Sequence, residues 1–177
     1  MAIELPGMVS FLLSMTTLAL IYALLALGLN VHYGYTGLLN FGHVAFFAAG
    51  AYTAAIVTIP PPGTVSGGAD YAIGLGVPMP FGVVISLGAS ALVGGILALL
   101  IGLTSVRLGN HYLAIATFAL AGIFEEFIRN EAWLTRGVIG LNNVPKPGRS
   151  ALGADLWGLV YMLFAAALVV GTYLIIE

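Results

Sequence analysis

No charged residue occurs from Leu5 to Ala69, and after Asp70 none occurs again until Arg107. A soluble domain carries roughly 25% charged residues. This chain of 177 residues carries 7%, against 60% hydrophobic, with a mean hydropathy of +1.08. Tracts that long without an ion cannot be the surface of an 18.3 kDa globule in water, so the solvent they meet is lipid. The same composition removes other classes. A net charge of -2 with a single lysine leaves no basic field, which excludes a nucleic-acid partner. With no cysteine there is no disulfide framework, thiolate metal site or cysteine nucleophile. The start, Met1 to Gly7, lacks Lys and Arg, and the apolar run behind it is too long for a signal-peptide core, so it reads as a retained first span.

A hydrocarbon layer about 30 Å thick needs roughly 20 apolar residues at 1.5 Å each. On that ruler the sequence predicts about five membrane spans, at residues 8–29, 38–59, 81–103, 112–128 and 156–176. Apolar blocks of about 20, rather than alternating tens, select helices over a barrel. The expected fold is all-α, a polytopic transmembrane helical bundle with residues 1–177 as one transmembrane domain. A polar knot from Asn30 to Gly37 is expected to interrupt the first two spans. Pro60, Pro61 and Pro62 end the second, followed by a Gly/Ser loop through Asp70. The longest polar connection, Arg129 to Asp155, holds four of the five basic residues.

In the third span Gly82, Ser86, Ser90, Gly94, Ala98 and Gly102 place a small residue at every fourth position. Small residues let helix backbones approach closely in lipid. The row predicts a third helix contacted by protein along its length. Within the apolar tracts, Asn40 and His43 share a helical face beside Gly34, Gly37 and Gly42. Glycines at that density suit irregular backbone at membrane depth, which can bind a polar ligand; a neutral imidazole bonded to a neighbouring helix is the plainer alternative for His43. Glu125, Glu126 and Arg129 are spaced for a local ion pair, with Arg129 at the negative end of its helix. Trp133 and Trp157 flank the polar connection as interface residues.

The inventory argues against an enzyme. No H-E-x-x-H occurs, and His32, His43 and His111 lack metal spacing, so neither metal nor cofactor is expected. Gly88-Ala89-Ser90-Ala91 lacks the glycine that an intramembrane serine protease carries after its nucleophile. There is no G-x-x-x-x-G-K-[ST], so any ATP hydrolysis belongs to another polypeptide.

The run Gly34-Tyr-Thr-Gly-Leu-Leu-Asn-Phe-Gly-His-Val-Ala-Phe-Phe-Ala-Ala-Gly-Ala-Tyr-Thr53 resembles the branched-chain amino acid ABC transporter permeases, especially the LivM type. Arg107-Leu108, His111-Tyr-Leu-Ala-Ile-Ala-Thr117, and then Leu134-Thr135, Gly137, Gly140 and Leu141 follow in the family's order. The resemblance covers about Gly28 to Leu141. It departs in the fourth span, where Gly122 and Glu125 stand at the positions of a family acidic and basic residue. No counterpart of the cytoplasmic coupling segment follows the fifth span, so the resemblance implies the N-terminal part of a permease domain, incomplete at its C-terminus.

The resemblance implies a multi-pass transport subunit in the plasma (cytoplasmic) membrane of a prokaryote, importing branched-chain or related amino acids by alternating access. Its partners would be a second permease subunit, ATP-binding cassette ATPase subunits, an external substrate-binding protein and the lipid bilayer. The substrate path is expected between Gly34 and His43. Urea or short-chain amide import is the alternative within the family. A non-ABC transporter or channel would need coupling-ion ligands or an inverted repeat, and neither is visible. Orientation is contested: the basic Arg129 to Asp155 connection belongs inside by the positive-inside rule, whereas the family places it outside, with Arg107 and Glu177 inside. The expectation here follows the family.

Overall fold

The computed structural model describes residues 7–61, 73–105 and 110–177. Within them the chain is all-α. Its helices are α1 (Gly7–Thr36), α2 (His43–Thr58), α3 (Phe81–Ser105), α4 (Asn110–Asn130), α5 (Ala132–Thr135), α6 (Arg149–Leu152) and α7 (Ala154–Ile176), with a 3-10 turn at Gly137–Ile139 between α5 and α6. Three stretches, Gly7–Thr36, Phe81–Leu103 and Leu156–Ile176, are long and apolar enough to cross a membrane, and His43–Thr58 is a shorter apolar helix. The Gly/Ser loop before Asp70 and the Arg107-Leu108 pair lie outside the described residues.

The expected break at Asn30 does not occur: α1 runs on through the polar knot to Thr36. Asn, His, Tyr and Thr each cost at most about 0.7 kcal/mol in a helix, and Gly about 1. Costs of that size do not by themselves end a helix. The helix stops at Gly37, where φ is +66° and the N–H donates to Tyr33 O at 2.9 Å. At 30 residues α1 is ~45 Å long, so its polar end extends beyond a hydrocarbon core of about 30 Å.

The chain divides into two compact units, one formed by the chain up to Gly37 and from Gly148 onward, the other by Leu38–Pro147. In the first, α1 packs along α7. The Tyr35 hydroxyl donates to Ile176 O at 2.9 Å, and Leu13 lies 4.0 Å from where a Cβ on Gly158 would stand. Contacts between the two beginnings and between the two ends make the helices parallel. Trp157 stacks on Tyr161 with ring centroids 4.9 Å apart.

In the second unit α2 packs along α3. The Ser90 hydroxyl donates to Gly50 O at 2.8 Å, and Thr58 faces Gly82. That register is antiparallel, so the last two turns of α3 run past the start of α2. The small-residue row loses its contacts earlier, at Gly94, which is still level with the first turn of α2. Gly82, Ser86 and Ser90 meet protein, with Ser86 buried, while a Cβ added at Gly94 or Gly102 would meet nothing within 4 Å. The expectation of a third helix contacted along its whole row therefore fails in its second half.

The terminal carbonyls of α2 are not left orphaned, as helix ends otherwise are. The returning chain supplies donors: Leu75 N to Ile56 O at 3.0 Å, Val77 N to Val57 O at 3.1 Å and Gly76 N to Ile59 O at 2.8 Å. The buried centre of this unit lies at the same end, where Ala55 and Ile59 pack with Leu141.

Candidate substrate path at a broken helix start

The second span was expected to be helical from residue 38, but α2 starts at His43. Residues 37–42 are irregular, so the helix itself, at 16 residues, is only ~24 Å long. The break is held open from α4. Phe41 N donates to Thr117 Oγ1 at 3.2 Å, and Thr117 Oγ1 donates in turn to Ala114 O at 3.1 Å. Thr117 is 2% exposed. A Cβ on Gly42 would stand 3.0 Å from Thr117 O and 3.2 Å from Asn40 Oδ1, so a side chain here would press on the Thr117 backbone. Asn40 Oδ1 is buried and, among the described residues, meets no hydrogen-bond donor. A buried amide oxygen without a donor costs about 1–3 kcal/mol, and such an atom at a helix break is a place where a ligand or water gains a bond.

The structure brings Asn40, Gly42 and His43 together at the beginning of α2 in the second unit, with Asn40 O accepting from His43 N at 3.3 Å. Gly34 and Gly37 belong to the first unit. Gly34 lies inside α1 and Gly37 ends it.

Between α2 and α4 runs an open groove of about 570 Å³. Phe41, Val44, Ala48 and Phe118 are among its apolar walls, and Tyr52, Glu125 and Arg129 add polar groups. Glu125 and Arg129 form an ion pair at 2.8 Å, whereas Glu126 accepts from Asn130 Nδ2 at 2.8 Å. Of the two glutamates, only Glu125 therefore pairs with Arg129. Gly137 and Val138 of the 3-10 turn complete the groove lining.

The Leu134 to Leu141 segment terminates α4. The Thr135 hydroxyl, 2% exposed, donates to Ile128 O and to Glu131 O at 2.9 Å, satisfying carbonyls at or just past the helix end, and accepts from Gly137 N at 3.2 Å. Gly137 has φ +61°, and a Cβ there would stand 2.9 Å from Arg129 O. Its glycine is a geometric requirement of the turn.

Residues 11–177 match the family described as "Branched-chain amino acid transport system / permease component". The chain belongs to this permease family. It is 32% identical over 148 residues to the high-affinity branched-chain amino acid transport system permease protein LivM of Escherichia coli (strain K12), covering 83% of this chain and 31% of that protein. With the protein of the same name from Salmonella typhimurium (strain LT2) the identity is 33% over 147 residues, covering 82% and 30%. The chain thus spans about 30% of the length of the curated relatives it matches. No solved structure matches it.

Two residues of this permease chain that matter to the geometry, Thr117 and Tyr52, were not singled out by sequence reasoning. Thr117 ends the block Tyr112-Leu-Ala-Ile-Ala-Thr117, a polar residue closing an apolar run, and that position was its only signal. Tyr52 is indistinguishable in sequence from a lipid-facing residue, and only the meeting of α2 with α4 puts it in one groove with Gly122, which the sequence showed only as a departure from the family.

Proposed function

We propose that the chain forms part of the membrane-spanning permease of an ATP-binding cassette importer for branched-chain or related amino acids, in the plasma membrane of a prokaryote. The observation that carries this reading is the family match along residues 11–177. In this reading an external binding protein delivers the substrate, a second permease subunit completes the path, and separate ATPase subunits drive alternating access. The broken start of α2 supplies what such a path needs. Helical backbone hides its polar groups within the helix, whereas the irregular segment 37–42 and the unsatisfied Asn40 oxygen offer polar groups inside the membrane domain. Asn40 and His43 are the path residues, and Gly42 permits the close approach to Thr117 that holds them there.

The test is uptake by cells that make the protein. Deleting its gene should remove uptake of radiolabelled leucine, isoleucine and valine and leave urea uptake intact; loss of urea uptake alone would assign the amide substrate class instead. Asn40→Leu should cut leucine uptake at least tenfold with the protein still in the membrane fraction. Full uptake by both Asn40→Leu and His43→Leu would return these residues to a structural role.

A further inference from the structure

The groove between α2 and α4 sets an exposed charged pair beside an apolar wall. Its walls are apolar, at Phe41, Val44, Ala48 and Phe118, and Glu125 and Arg129 line it as well, in contact at 2.8 Å. A volume of about 570 Å³ lies within the roughly 300–1,000 Å³ of small-molecule sites. Among the described residues the two charged side chains have no partner but each other. A guanidinium offers five donors and a carboxylate about four acceptor sites, so one contact leaves most of that capacity unused.

We propose that this groove is a binding site for an α-amino acid with an aliphatic side chain, the carboxylate held by Arg129, the ammonium by Glu125 and the alkyl group by the apolar wall. This rests on the permease reading and deepens it by naming the residues that select the substrate. The charge arrangement is specific. An α-amino acid carries its two charges on one carbon, which matches a cation and an anion in mutual contact. A fatty acid or a lone amine satisfies only one of the two, and a lipid chain satisfies neither.

The experiment uses the full chain in nanodiscs, with L-leucine, 4-methylpentanoate (no ammonium) and 3-methylbutylamine (no carboxylate) as probes in equilibrium dialysis, beside leucine uptake by cells carrying the same substitutions. Leucine should bind at least tenfold tighter than either analogue. Glu125→Gln, Arg129→Gln and Gly122→Leu should each weaken leucine binding at least tenfold. The last puts a side chain into the groove at a position where an added Cβ meets nothing within 4 Å. Glu126→Gln, the same change on a neighbour outside the groove lining, should bind as the unaltered chain does. Equal binding of 4-methylpentanoate, unaltered binding by Gly122→Leu, or equal losses from Glu125→Gln and Glu126→Gln would each overturn the site. So would a chain that binds no leucine while gene-dependent leucine uptake persists, an outcome that leaves the permease reading standing; absence of that uptake would remove both.

Discussion

Thr117 holds the break before α2 by a single acceptor. Thr117→Val keeps the shape and removes the oxygen that receives the Phe41 N–H, leaving a part-buried donor without its partner, at a cost toward the low end of about 1–3 kcal/mol. Thr117→Ser keeps the oxygen. Thermal unfolding in detergent should therefore show Val well below Ser. Glycines divide in the same way. Gly137→Ala must accept φ +61° and a contact of 2.9 Å with Arg129 O, and left-handed backbone alone costs about 1–2 kcal/mol. Gly122→Ala meets nothing and gains up to about 1 kcal/mol of helix propensity, so its unfolding midpoint should hold or rise. The sequence displayed both glycines alike. What it could not show is which would face a neighbouring carbonyl, because that depends on where the chain returns after α5. Asn40 and His43 were legible as polar residues in an apolar tract; the buried oxygen of Asn40 was not, since burial depends on how the irregular segment folds.

Among the elements, helix positions followed from hydropathy and helix limits did not. Composition marked the knot at Asn30 as a break, yet the backbone of α1 passes through it and stops only where φ turns positive at Gly37. The small-residue row of α3 is continuous in sequence because a period of four carries no information about the length of the partner. In the structure α2 is shorter than α3, and the row outlasts it. Ser90→Leu should disturb the α2–α3 pair, since it removes the bond to Gly50 O and forces a side chain against that backbone, an overpacking cost of about 1–3 kcal/mol. Gly94→Leu should stay within about 0.5 kcal/mol of the unaltered chain, as a surface substitution does. Urea unfolding of the purified chain in mild detergent separates the two, and equal losses would restore the continuous row.

For the whole molecule the open matter is orientation, where charge and family disagree. The connection 129–155 carries four of five basic residues, which the positive-inside rule assigns to the cytoplasm; the proposal here, with the family, sets it outside. The absence of cysteine makes the test clean. Asn142 is exposed, so Asn142→Cys should react with an impermeant maleimide added to intact cells. Modification only after the cells are opened would reverse the topology. Hydropathy alone could not decide this, because a helix is equally apolar in either direction.

The parallel pairing of α1 with α7 sets an order of events during synthesis. Residues 37–153 are made between the two helices, which at ~5–20 residues per second takes on the order of ten seconds. For that time α1 has been made and its partner has not. The groove lined by Ala23, Ala26, Leu27 and Asn30 on α1, which Val169, Val170 and Tyr173 of α7 complete, is meanwhile open to lipid or to whatever insertion factor attends the nascent chain, with the Asn30 amide inside the apolar stretch as the group such a factor would have to shield.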